Sequence, residues 1–237
     1  MTEPRCLLLT RPKPQSRAFA AELETALPGR FAPLVSPLLE IVPVVAPLDL
    51  AGAQGLIFTS ANGVTQFAAR EGLRDLPAYC VGEMTAEAAR QAGFEARTAG
   101  GDVAALAALV RDAHRPGAGA FVHVRGRHAA GDLLGELART GIPARAAALY
   151  DQRPRALDAE AQGRLEAGGV AAIAVFSPRT GTLLAASEGR ARWDLTRTVS
   201  VALSAAADAP LAAIPPHRRI VCEAPTRAAM IAALGRL

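Results

Sequence analysis

Short apolar runs alternate along this chain with segments of helical spacing, and small or hydroxyl-bearing turns separate them. The run Leu56-Ile57-Phe58 stops at Thr59-Ser60, and Ala61-Asn62-Gly63 turns the chain. Over residues 64–70 the apolar positions Val64, Phe67 and Ala68 then fall on one side. This pattern predicts a strand, a tight turn and a helix start. Ser and Asn at such a start accept hydrogen bonds from free helical N–H groups. The N–H groups left over, with the helix dipole, favour an anion in front of them. A similar stretch returns at residues 174–186, AVFSPRTGTLLAA, with Ser177 after the strand and Gly181 where the helix begins.

The same reading predicts further strands at 6–10, 30–35, 78–82, 94–98, 120–125, 142–150, 170–176, 198–203 and 219–222. Helices are expected at 15–27, 86–92, 103–111, 132–140, 158–167 and 205–213, with a last one opening at Pro225-Thr226. Arg11-Pro12-Lys13-Pro14 reads as a loop, because two prolines cannot pair in a sheet. Residues 36–43 are extended and interrupted by prolines, Asp151 to Pro154 is a second linker candidate, and 126–131 is a polar turn. Four units recur in the same order in the two halves, at an offset of about 114–124 residues. They are LLLTRP, FTSANGV, CVGEMTAEAA and GGDVAAL in the first half, and VHVRGRH, FSPRTGT, VALSAAADA and EAPTRAAM in the second. An internal duplication follows, and the alternation of strand and helix predicts a doubly wound parallel sheet from each half.

Composition narrows the chemistry. Of 237 residues 51% are apolar but only 4% aromatic, a core of Ala, Leu and Val suited to helices layered on parallel strands. The formal charge is +4, and Lys13 is the only lysine, so the basic charge is nearly all Arg, which prefers carboxylates and phosphates. No basic block with interleaved aromatics supports nucleic-acid binding. Cys6, Cys80 and Cys222 lie far apart in apolar runs and read as buried thiols. The N-terminal apolar stretch is too short for a signal peptide and no run reaches membrane-spanning length, so a cytoplasmic protein with no membrane partner is expected.

Familiar catalytic motifs are missing: no Gly-rich phosphate loop, no G-x-S-x-G, no H-E-x-x-H, no Cys/His cluster with zinc spacing. His123 sits inside an apolar strand and reads as a core residue, while His128, in a polar turn, is the better functional histidine. What remains is a set of turns following strands, where open parallel sheets bind ligands. They carry Thr10-Arg11, Ser60-Ala61-Asn62-Gly63, Gly82 with Thr85, Arg125-Gly126, Ser177-Pro178-Arg179, Ser204 and Thr226. Hydroxyls, backbone N–H groups and guanidinium groups dominate, and no strong base is present. Such a surface suits a multiply anionic ligand, although each hydroxyl alone also serves simply to cap a helix. Tyr150 stands at the end of a strand before the second linker, as a phenol donor or as a plain interface aromatic.

Taken together, LLLTRP, PLLEIVP at Pro37 to Pro43, IFTSANGV, YCVGEMTAEAA, HVRG with ALYDQRP, AVFSPRTG, VALSAAADA and APTRAAM resemble the uroporphyrinogen-III synthase family, in order over nearly the whole chain. The resemblance implies two flavodoxin-like doubly wound parallel-sheet α/β domains joined by a two-stranded linker. One domain would be discontinuous, residues 1–36 with 154–237, and the other inserted, 43–148, with linker strands at 37–42 and 149–153. It implies a lyase without cofactor or metal that closes hydroxymethylbilane, a linear tetrapyrrole with eight carboxylates, to uroporphyrinogen III. Water is lost and ring D inverted, by way of azafulvene and spiro-pyrrolenine intermediates. An interdomain cleft lined by N–H groups and Arg would hold the substrate in the conformer that favours inverted closure over simple closure. Tyr150 matches the family tyrosine proposed to protonate the leaving hydroxyl. Family members often carry Gly-Pro-Thr-Thr where this chain has Leu203-Ser204-Ala205-Ala206, so two Thr contacts would pass to Ser204 and backbone N–H groups. A monomer is expected, and the unstable substrate raises a transient contact with the preceding pathway enzyme. From the residues alone, a hinged binding protein for a small anion, or a nucleotide-sugar transferase, stays open.

Overall fold

In the computed structural model, which describes residues 3–128, 131–215 and 217–237, strands and helices alternate from end to end. The strands are β1 (Arg5–Leu9), β2 (Phe31–Val35), β3 (Leu39–Pro43), β4 (Ala53–Phe58), β5 (Ala78–Cys80) and β6 (Ala96–Thr98). They continue with β7 (Ala120–Gly126), β8 (Ala144–Pro154), β9 (Ala172–Val175), β10 (Val199–Ala202) and β11 (Arg218–Val221). The helices are α1 (Lys13–Ala26), α2 (Ala61–Arg70), α3 (Glu83–Gln91), α4 (Val103–Ala113) and α5 (Leu133–Arg139). After them come α6 (Ala159–Glu166), α7 (Pro178–Ala185), α8 (Ala205–Asp208) and α9 (Arg227–Gly235). Residues 129 and 130, inside the turn expected at 126–131, lie outside the described residues.

Two sheets form, ordered β11-β10-β9-β1-β2 and β3-β8-β7-β4-β5-β6. The chain divides into two units accordingly, Met1–Glu40 with Arg153–Leu237, and Ile41–Gln152. The β1–β2, β1–β9, β9–β10 and β10–β11 pairs are parallel, as are β4–β5, β4–β7, β5–β6 and β7–β8. Alternation of side chains explains why helices cover both faces of the second sheet. Leu56 and Phe58 of β4 pack with Val64 and Phe67 of α2 and with Ala86 and Ala89 of α3. Ile57, between them, faces Leu106 and Val110 of α4 and Leu133 and Leu137 of α5. In the first unit Leu8, Ile173, Val175 and Ala202 share a core with Ala161 and Leu165 of α6 and Leu184 of α7.

Several expectations need correction. The sequence halves do not form separate sheets: β1 registers with β9, Leu8 opposite Ile173. The loop expected over residues 11–14 is already helical from Lys13, with proline in the first turn. A proline there loses nothing, because its missing N–H would have been unbonded anyway. Asp151 to Pro154 is extended, as the end of the eleven-residue β8. The single helix expected at 205–213 is a short α8 followed by a 3-10 turn, Ala209–Ala213, with Pro210 in its first turn. The 3-10 turn at Arg190–Arg192 has no counterpart in the sequence reading. No helix of the described residues is long and apolar enough to cross a membrane.

Candidate functional site

Because the registered strands are parallel, each predicted site residue that follows a strand lies at the carboxyl edge of its sheet. The edge of the five-stranded sheet carries Thr10, Arg11, Ser177, Pro178, Arg179, Ser204 and Thr226. The edge of the other carries Ser60, Ala61, Asn62, Gly63, Gly82, Thr85, Arg125, Gly126 and Tyr150. Within each sheet the strand order reverses once, between β1 and β9 in the first and between β4 and β7 in the second. At such a reversal the flanking connections diverge to opposite faces and leave a crevice, the usual ligand position of open α/β sheets.

The hydroxyls at these turns are helix caps. Ser60 accepts from the Asn62 N–H at 3.2 Å, Ser177 from Thr180 at 3.2 Å, Ser204 from Ala207 at 3.3 Å and Thr226 from Ala229 at 3.1 Å. Capping uses the oxygen and leaves the hydroxyl proton to donate: Ser60 shares a hydrogen bond with Tyr150 and Ser177 one with Thr180 Oγ1, while the hydroxyls of Ser204 and Thr226 suit an anion. Gly82 caps α3 without a side chain, and the Thr85 N–H bonds its carbonyl at 3.0 Å, which leaves Thr85 buried in the first turn. Gly63 packs rather than opens: a Cβ there would sit 3.0 Å from the Val124 carbonyl oxygen. Ala61 and Asn62 are partly exposed in the first turn of α2, Pro178 is exposed as the first residue of α7, and Arg179 is partly buried beside it.

Beside the reversal in the second sheet stands Tyr150, which hydrogen-bonds Ser60 after β4 and lies on Gly126 of β7. Arg125 of β7 registers with Ala148 of β8, but Gly126 registers with Tyr150, so Leu149 is an extra residue. Such a bulge re-aims the side chain beside it. The Tyr150 ring lies on Gly126, where a Cβ would come within 2.9 Å of Cε2. Tyr150 is 3% exposed, and burial raises its phenol pKa, partly offset by hydrogen bonding with the Ser60 side chain, the Gly126 backbone and the Gln152 side chain. The phenol therefore keeps its proton at neutral pH and is a donor. Arg125 carries a buried Nε without a partner among the described residues. His123 is a core residue, its Nε2 3.2 Å from Thr59 Oγ1, with a pKa pushed down to about 4 by burial and then by Arg125. His128 is exposed.

In the first unit, Thr10 is fully buried and its Oγ1 has no partner among the described residues. Arg11 lies over the Phe176 ring, 4.4 Å from its centroid. Arg227 pairs with Glu22 at 2.6 Å. The sequence reading missed Phe176, Arg227 and Gln152. A signal existed for one of them: Thr226-Arg227 repeats the Thr10-Arg11 pair before another helix. The three cysteines are free, and no group of three or more His, Cys, Asp or Glu that could hold a metal occurs among the described residues.

The family model described as uroporphyrinogen-III synthase HemD matches residues 19–232. The crystal structure of uroporphyrinogen-III synthetase from Helicobacter pylori 26695 is similar over 99% of this chain and 100% of its own, with a TM-score of 0.63 and 16% identity. A variant of uroporphyrinogen III synthase from the extremely thermophilic bacterium Thermus thermophilus is similar over 98% of both chains, with a TM-score of 0.57 and 21% identity. At these identities the likeness shows the fold, mixed α/β with parallel sheets. No curated protein matches the sequence.

Proposed function

The chain belongs to the uroporphyrinogen-III synthase family, and from that premise we propose how its own residues carry the reaction. The reaction is a cofactor-independent cyclising dehydration: hydroxymethylbilane loses its hydroxyl as water and closes to uroporphyrinogen III with ring D inverted. One proton is consumed when the C–O bond breaks and water leaves. One is returned when the new carbon–carbon bond is made and the ring regains its aromaticity, so no net base or oxidant is needed.

Tyr150 supplies the first proton. The observation that carries this assignment is its buried phenol, held on Gly126 beside the reversal in the second sheet and kept protonated by burial. Ser60 and Gln152 hydrogen-bond the oxygen and would stabilise the phenolate left after transfer. The substrate carboxylates are met by Arg179 and by the capped turns at Ser177, Ser204 and Thr226 on one sheet. On the other they are met by the turn at Gly82 and by Arg125. Hydroxyl protons, N–H groups and guanidinium groups all donate, which matches acceptor-only carboxylates. Positioning then does the remaining work, by making inverted closure faster than simple closure.

The finer architecture belongs to the same proposal: the two units are doubly wound α/β domains joined by two strands, the first of them flavodoxin-like. The strand order β2-β1-β9-β10-β11 supports the flavodoxin-like reading of the first unit, since it has the 2-1-3-4-5 form, whereas β6-β5-β4-β7-β8 of the second runs 3-2-1-4-5. A cytoplasmic monomer is the working form. The test is an isomer assay with freshly generated hydroxymethylbilane and separation of the oxidised products. Type III porphyrin that depends on the protein, and is largely lost in Tyr150→Phe, is the expected result. Unchanged turnover in Tyr150→Phe moves the proton donor elsewhere.

A further inference from the structure

The crevice of the first sheet holds a charge arrangement that the chemistry of Tyr150 does not use. Arg11 is the second residue past β1, and Phe176 is the first past β9, so the pair spans the point where the strand order reverses. The guanidinium lies on the ring face at 4.4 Å. Phe176 is itself fixed, with Phe19 edge-on against it at 4.9 Å and an interplanar angle of 77°. Arg11 makes no ion pair among the described residues. Glu22, an acid close enough to act on it, is engaged by Arg227 at 2.6 Å. Among the described residues, the charges that act on Arg11 are thus the Arg227 guanidinium and the carboxylate it engages.

We propose that Arg11, shelved on Phe176, is a preformed clamp for one substrate carboxylate and so a specificity-determining residue of the first unit; this rests on the reaction proposed above. A ring covering one face of a guanidinium leaves its in-plane N–H edge open, and that edge matches a carboxylate in bidentate geometry. Burial first, and then Arg227, lower the Arg11 pKa to about 10, as expected for a cation whose counter-charge is still to come. At neutral pH the group stays charged. Arg227 is held for Glu22 and does not compete for the same carboxylate.

The experiment compares wild type, Arg11→Met, Arg11→Lys and Phe176→Leu by isomer-resolved kinetics and by equilibrium binding of uroporphyrinogen III under anaerobic conditions. Circular dichroism verifies each fold. Arg11→Met is expected to raise KM and weaken product binding about 10- to 100-fold, the worth of a charged hydrogen-bonded pair, while kcat falls far less. Arg11→Lys recovers part of the loss, because it restores charge without the fork. Phe176→Leu weakens binding less than Arg11→Met does. Unchanged KM and product affinity in Arg11→Met, or a loss confined to kcat, overturns the clamp. If Arg11→Met fails to fold, Arg11→Lys and Phe176→Leu decide by the same two readouts. If wild type yields only the type I isomer but binds uroporphyrinogen III, the reaction assignment fails and binding by the variants decides the clamp; if it neither converts nor binds, both are overturned.

Discussion

At the scale of single residues, Tyr150 and Gly126 work as one feature. General acid catalysis contributes about 10²- to 10⁴-fold, so Tyr150→Phe is expected to lower kcat by about 10²-fold or more with little change in stability. Gly126→Ala should lower kcat as well while keeping the phenol, because its Cβ would crowd Cε2 of the ring at 2.9 Å and turn the hydroxyl away. Wild-type kinetics in Gly126→Ala would mean that the ring position is not critical. His123 makes a separate prediction about stability. Its pKa is about 4 when folded and about 6.5 when unfolded. Between those values the unfolded chain binds more protons. The stabilisation by neutral His123 is therefore complete above about pH 6.5, declines as pH falls, and is lost near 4. The span is up to about 3 kcal/mol. Urea unfolding across pH 4–7 should show that slope in wild type and a flatter one in His123→Gln.

At the scale of elements, the turns follow from local chemistry. Ser60, Ser177, Ser204, Thr226, Asp102 and Asp158 each precede a helix and accept from an N–H in its first turn. Replacing Ser204 or Thr226 by Ala is expected to cost about 1 kcal/mol each, read from the urea midpoint, and also to weaken product binding by removing a hydroxyl donor. Loss of stability without loss of binding would reduce these residues to caps. Helix seating on the sheet depends on two glycines. A Cβ on Gly63 would lie 3.0 Å from the Val124 carbonyl oxygen, and one on Gly181 would lie 2.6 Å from that of Ala207. Gly181→Ala should therefore destabilise by about 1–3 kcal/mol, more than either cap substitution, because the contacting group is backbone and cannot swing aside. The sequence reading placed both glycines at helix starts but could not say that they pack inward, since Gly63 and Val124 are joined only through the sheet.

At the scale of the molecule, the duplication and the spatial units cut the chain differently. Of the units that recur, those carrying β1 and β2 join the later β9, β10 and β11, while β7 and β8 join the earlier β4, β5 and β6. Each sheet thus combines the opening strands of one repeat with the closing strands of the other. A fragment of residues 41–152 is therefore expected to fold alone, with a cooperative urea transition. A fragment of residues 1–119, one full repeat by sequence, should not, because β1 lacks β9 on one side and the second sheet lacks β7 and β8. The opposite result would show that repeats, not units, are the folding entities.

What the sequence determined by itself is local. The period of apolar positions, the capping residues and the Pro and Gly stops set the order of strands and helices, and they placed Ser60, Ser177, Ser204 and Thr226 at helix starts. These signals span a few residues and act within one turn or strand. The same locality made Tyr150 visible as a phenol at a strand end, but not as a buried donor lying on Gly126. Which strands become neighbours was decided by the tertiary structure, because repeated β-strand segments of similar pattern satisfy the same hydrogen-bond ladder and differ only in the cores they complete. That choice put Arg11 over Phe176, paired Arg227 with Glu22, bulged β8 beneath Tyr150 and buried His123 beside Thr59. Each of these joins residues far apart in the chain, and its energy comes from desolvation and contact that exist only once the sheets have formed.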